Sequence, residues 1–158
     1  MRRRIHVRAL AVCAAMILTS TIAFAADNWV GSWTLNLAKS KFASGPAPKS
    51  QTLKWESTAD GIKLTSDGVD ADGKATHSEY VSKYDGKEVA WTGNPLADTA
   101  APKRIDDNHY LNTWKLGGKV TVNAKVAVSA DGKTLTVRQI GKSPDGKPVN
   151  STAVYDRQ

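Results

Sequence analysis

Gly31-Ser32-Trp33-Thr34-Leu35-Asn36-Leu37 alternates strictly after its opening glycine. Trp33, Leu35 and Leu37 share one face of an extended strand, and Ser32, Thr34 and Asn36 share the other. The chain downstream repeats the pattern. Short segments rich in Val, Thr, Tyr and Trp lie at about 31–37, 50–58, 61–67, 75–84, 87–92, 100–106, 109–116, 119–129, 133–141 and 148–157. The plainest is Val120 to Val128, where every even position is apolar. No segment sustains the 3.6-residue period of an amphipathic helix.

Turn chemistry separates these segments. Asp-Gly occurs at Asp60-Gly61, Asp67-Gly68, Asp72-Gly73, Asp85-Gly86, Asp131-Gly132 and Asp145-Gly146, and Gly117-Gly118 serves the same purpose. Both residue types tolerate the positive φ of tight hairpins, so the segments read as an antiparallel meander. Lys39-Ser40-Lys41-Phe42 has the character of a single helical turn. Gly45, Pro46 and Pro48 then stop anything longer, leaving a short lid segment. About ten meandering strands avoid exposed edges by closing, so the expected fold is all-β, an antiparallel barrel begun by the Gly31–Leu37 strand.

The first 25 residues have a different character. Arg2, Arg3, Arg4 and Arg8 precede an uncharged apolar run from Ala9 to Leu18, and Ala23-Phe24-Ala25 offers small residues to a signal peptidase. This predicts a cleaved signal helix over 1–25, periplasmic or secreted localisation, and no stable membrane anchor after cleavage. The apolar run is short of the roughly 20 residues that span a bilayer. A single domain over 26–158 remains. Of the 22 basic side chains, four leave with the signal, so 18 face 15 acidic ones in the mature chain. That scattered excess does not suggest nucleic acid, which favours a clustered basic face. Cys13 also leaves, which removes disulfides, thiolate metal sites and thiol nucleophiles.

The sequence offers little catalytic chemistry. His77 and His109 stand alone, with no spacing that would converge on a metal. Asp67, Asp70 and Asp72 lack the spacing and closing glutamate of a calcium loop. Nucleophile-elbow, phosphate-loop and dinucleotide-binding patterns are missing, and nothing calls for a cofactor. Five tryptophans and four tyrosines are the informative set. Trp33 reads as a plug for the closed end of the barrel. Trp55, Tyr80, Trp91, Trp114 and Tyr155 can fill the interior or line a cavity in it.

Gly31-Ser32-Trp33 resembles the G-x-W opening of the calycins, the lipocalins and fatty-acid-binding proteins. Ten strands in this length are similar to the fatty-acid-binding type, and Val154-Tyr155-Asp156-Arg157 resembles its final strand. Asn36 to Phe42, Thr92-Gly93-Asn94-Pro95 and Lys103-Arg104-Ile105-Asp106 resemble segments of secreted bacterial lipocalin-like proteins of uncharacterised function. The resemblance implies a calycin-like barrel that binds a small apolar or amphipathic molecule without catalysis. Arg104, Arg138 or Lys125 would face an acidic group on the ligand. There are departures. The interval after the first strand is too short for a two-helix lid. Ala153 stands two residues before Tyr155, where the family places a carboxylate-gripping arginine, so simple fatty acids should bind poorly and neutral or aromatic apolar compounds better. The alternative is a protein-binding module or inhibitor acting through the 44–50 and 94–101 loops.

Overall fold

The computed structural model describes residues 27–158, so the expected signal segment lies outside the described residues. Eleven strands follow in order: β1 (Gly31–Leu35), β2 (Lys41–Phe42), β3 (Ser50–Thr58), β4 (Gly61–Val69), β5 (Ala75–Ser82), β6 (Val89–Ala90), β7 (Thr99–Arg104), β8 (His109–Leu116), β9 (Lys119–Val128), β10 (Thr134–Lys142) and β11 (Pro148–Arg157). All pairings are antiparallel, and the sheet runs β5-β4-β3-β1-β11-β10-β9-β8-β7-β6. The Gly31 strand therefore sits at the centre of the order, between β3 and β11.

The sheet curls until its two ends meet, giving a nearly closed barrel. Glu79 on β5 and Thr92 just past β6 exchange both backbone hydrogen bonds, at 3.0 and 3.1 Å. Lower down, Arg104 N–H donates to the Tyr84 carbonyl at 2.9 Å. Gly93 makes the first seam possible. Its φ is +76°, and a Cβ there would stand 2.1 Å from the His77 carbonyl oxygen. A side chain would meet both a strained backbone and a collision.

Gly31 has a comparable constraint at the closed end. Its φ is +134°, and a Cβ would come within 2.9 Å of the Arg157 guanidinium. That guanidinium lies 4.3 Å from the centre of the Trp33 ring, a cation–π contact. Trp33 is fully buried and its indole N–H donates to the Trp29 carbonyl at 2.8 Å. Trp29 in turn packs against Tyr84 and Tyr110, which meet edge-on at 4.9 Å. Each fully buried tryptophan contributes on the order of 4–6 kcal/mol of gross apolar transfer free energy. This aromatic cluster closes one end of the barrel.

The hairpins show why aspartate recurs. Asp70 Oδ1 accepts from the backbone N–H groups of Asp72 and Lys74 at 3.0 and 2.8 Å. Asp131 holds Lys133 N–H in the same way, at 3.1 Å. The carboxylate thus fastens its own turn.

Four local expectations need correction. Asp67-Gly68 is no turn: β4 runs through it, and Gly68 is needed because a Cβ would lie 2.4 Å from the Ser50 carbonyl. The helical turn is a 3-10 turn at Leu37–Lys39, capped by Asn36, and Lys41–Phe42 instead form β2 against β11. The fifth strand shrinks to Val89–Ala90; beyond it Trp91 N–H still bonds the Asp98 carbonyl, and Thr92 pairs across to Glu79. Val120 is exposed although it fits the even-position pattern. A register shift between Trp114 and Lys115 makes Thr121 the extra residue of a bulge and reverses the facing beyond it.

Candidate functional site

Alternation sends every second side chain of these strands into the barrel. Above the closed end they leave a cavity of about 550 Å³ that opens at the opposite rim. Its floor is the upper surface of the aromatic cluster, Trp55 and Tyr110. One wall carries Trp91 and Trp114, which meet edge-on with centroids 4.9 Å apart. Smaller aliphatic side chains, Leu53, Leu64, Val126, Val137 and Ala153, line much of the rest.

A sparse set of polar groups interrupts this surface. Tyr155 donates its hydroxyl to Gln51 Oε1 at 2.7 Å, and Gln51 donates onward to Ser66 at 2.9 Å. Ser151 donates to Gln139 at 3.0 Å. Asn112 donates its amide N–H to the Tyr80 hydroxyl at 3.3 Å. The Tyr84 hydroxyl in turn accepts from Trp55 Nε1 at 2.8 Å. Burial keeps these phenols neutral: Tyr80 is pushed up to about 12, Tyr84 and Tyr110 stand well above the ordinary 10.0, and Tyr155 is raised too.

Three polar atoms on side chains that line the cavity have no hydrogen-bond partner among the described residues. They are the indole nitrogens of Trp91 and Trp114 and the side-chain oxygen of Asn112. All three residues are more than nine-tenths buried.

The rim belongs to the loops. Pro46 and Pro48 come from the short lid segment, Asn94 and Pro95 from the loop after β6, Asp72 and Lys147 from two hairpins. Thr121, the bulge residue, bonds the Leu96 carbonyl at 2.7 Å and ties one of these loops to the wall. The titratable lining side chains nearest the rim, among the described residues, are Asp70, Asp72, His77 and Lys147. Lys147 is paired with Asp145 at 2.7 Å. That amine and the Ser143 hydroxyl pull the Asp145 carboxyl down to about 2.

No family model matches the chain, and no curated protein matches its sequence. Among solved structures it is similar to the zebrafish ileal bile acid-binding protein crystallised with cholic acid. The alignment has a TM-score of 0.51 and covers 83% of this chain and 99% of that one, at 9% identity. The chain folds as a calycin-like barrel.

Within the calycin-like barrel the aromatic candidates reach the interior. Trp55, Trp91, Trp114 and Tyr155 line the cavity, while Tyr80 lies behind it in the buried cluster, linked to the wall through Asn112. The basic candidates do not. Lys125 and Arg138 face each other across β9 and β10 on the outer surface, because Ala124, Val126 and Val137 take the inward positions beside them. Arg104 emerges at the closed end, where it pairs with Asp27 and Asp107. Ala153 sits in the cavity wall, so the position of the implied arginine is indeed inward and carries only a methyl group.

The residues overlooked in the sequence are the inward polar ones, Gln51, Ser66, Asn112, Gln139 and Ser151. Each lies two residues from an inward apolar or aromatic side chain on its strand. That parity was the available signal.

Proposed function

We propose that this protein is an exported, non-enzymatic binder of a small, partly apolar molecule held inside its barrel. One observation carries the reading: a cavity of about 550 Å³, floored by aromatics, opens through one rim of a barrel whose other end is sealed. Pockets that enclose a small ligand usually run to about 300–1,000 Å³, with apolar walls and a few placed polar groups. The similar zebrafish protein is a bile acid-binding protein, complexed with cholic acid, which supports a small amphipathic ligand here. The loops 44–50 and 94–101 bring Pro46, Pro48, Asn94 and Pro95 to the cavity mouth, which supports this reading.

Export rests on the basic start, apolar run and Ala23-Phe24-Ala25 of the first 25 residues. N-terminal sequencing of the protein recovered from cells should begin at Ala26, and a retained Met1 would refute export by this signal. Binding is tested by tryptophan-fluorescence titration of residues 26–158 with neutral apolar and aromatic compounds. A saturable one-site change that weakens in Trp91→Ala is expected. No saturable change with any compound would overturn the reading.

A further inference from the structure

The cavity's own polar groups specify the chemistry of what it holds. Asn112, Trp91 and Trp114 each present a buried atom without a partner among the described residues: one amide end and two indole N–H groups. Asn112 and Trp114 stand two residues apart on β8, both facing inward, and Trp114 packs against Trp91. The three therefore converge on one wall. A buried donor or acceptor left unpaired costs free energy that a matching ligand group recovers. Two donors and one amide oxygen call for a group that both accepts and donates, which an ionised carboxylate cannot do. A hydroxyl suits Asn112 in either orientation of its amide, since it both gives and accepts a hydrogen bond.

Ionised groups are disfavoured by the same wall. The cationic candidates Lys125, Arg138 and Arg104 lie outside the cavity, and the rim lysine, Lys147, is engaged by Asp145. A carboxylate at the depth of Asn112 would lose its hydration with no cation to offset the loss. Position 153, which faces the cavity, offers only Ala153.

We infer that the ligand is an uncharged amphiphile, an apolar body bearing a hydroxyl that docks between Asn112 and the paired indoles of Trp91 and Trp114. The inference rests on the binding reading above and adds the polar chemistry of the ligand to it.

Three probes of one chain length separate the possibilities: decan-1-ol, decanoate at neutral pH, and 1-chlorodecane, which has neither hydroxyl nor charge. Affinities are read by intrinsic tryptophan fluorescence on the mature protein, on Asn112→Leu and on Trp114→Phe. Decan-1-ol should bind at least about tenfold more tightly than decanoate. Asn112→Leu should weaken decan-1-ol about tenfold, an amount typical of one hydrogen bond, and leave 1-chlorodecane unchanged or tighter. Trp114→Phe, which keeps a ring in the wall, should show the same selectivity. If Asn112→Leu and Trp114→Phe alter both neutral probes alike, the hydrogen-bonding inference falls and the binding reading stands. If decanoate matches decan-1-ol, the neutral-ligand inference falls, again leaving the binding reading. If none of the three binds, both are overturned.

Discussion

Trp91 and Trp114 meet at 87° with ring centroids 4.9 Å apart, and neither indole N–H has a hydrogen-bond partner among the described residues. Trp33, buried more completely, spends its N–H on the Trp29 carbonyl. The two environments predict different costs for the same change. Trp33→Phe removes a made hydrogen bond and strands a buried carbonyl, so it should cost about 1–3 kcal/mol more stability than Trp114→Phe. Urea denaturation of both variants measures the difference. Equal costs would mean that the Trp114 N–H is as well satisfied as that of Trp33.

All four tyrosines of the chain are buried, at 2–3% exposure. Their folded pKa values lie above the ordinary 10.0, with Tyr80 near 12. A raised pKa on these groups means stability that is complete below pH 10 and is lost as the pH climbs from there through the folded values. The protein should therefore show almost no phenolate absorbance until it unfolds in alkali, and then all four phenols in one step. Gradual ionisation around pH 10 with the fold intact would contradict the buried cluster.

Gly93→Ala should open the seam between β5 and the mouth loop. Left-handed backbone alone costs a non-glycine residue about 1–2 kcal/mol, and the clash with the His77 carbonyl adds to it. A melting temperature lowered by several degrees, with faster hydrogen exchange at Glu79 and Thr92 than elsewhere, is the expected result.

Much of this was readable in alternation. The strand faces of Trp55, Trp114 and Tyr155 follow from counting by two, and so does the outward facing of Lys125, which lies between Ala124 and Val126. Lys125 was drawn inward only by resemblance to a basic ligand-gripping position, against its own parity. Arg104 shows the limit of counting. It shares parity with buried Ala100 and Pro102, yet the barrel ends beneath it and the side chain leaves to meet Asp27 and Asp107. The Thr121 bulge is equally silent in sequence, because one extra residue changes facing without changing composition. Gln51, Asn112 and Gln139 were hidden by a different habit, that of assigning polar residues to the outer face. An interior that is a cavity tolerates them where a packed core would not.

Ala153→Arg tests what excludes acids. The position faces the cavity beside Tyr155, and a guanidinium there would supply the missing cation. A hydrogen bond to an ionised group is worth about 1.5–3 kcal/mol. Decanoate affinity should therefore rise at least about tenfold, while the empty protein loses about 3–5 kcal/mol through the unpaired buried charge. Unchanged decanoate binding in a folded variant would show that the cavity wall does not control the selectivity.

Native mass spectrometry of the mature protein isolated from its own cells shows directly whether the barrel encloses a small uncharged molecule. A population heavier than the residue 26–158 chain by one small neutral molecule is expected, released on denaturation and identifiable as a hydroxyl-bearing apolar compound. Protein found only at its bare mass, and still at that mass after incubation with neutral amphiphiles, would contradict that expectation.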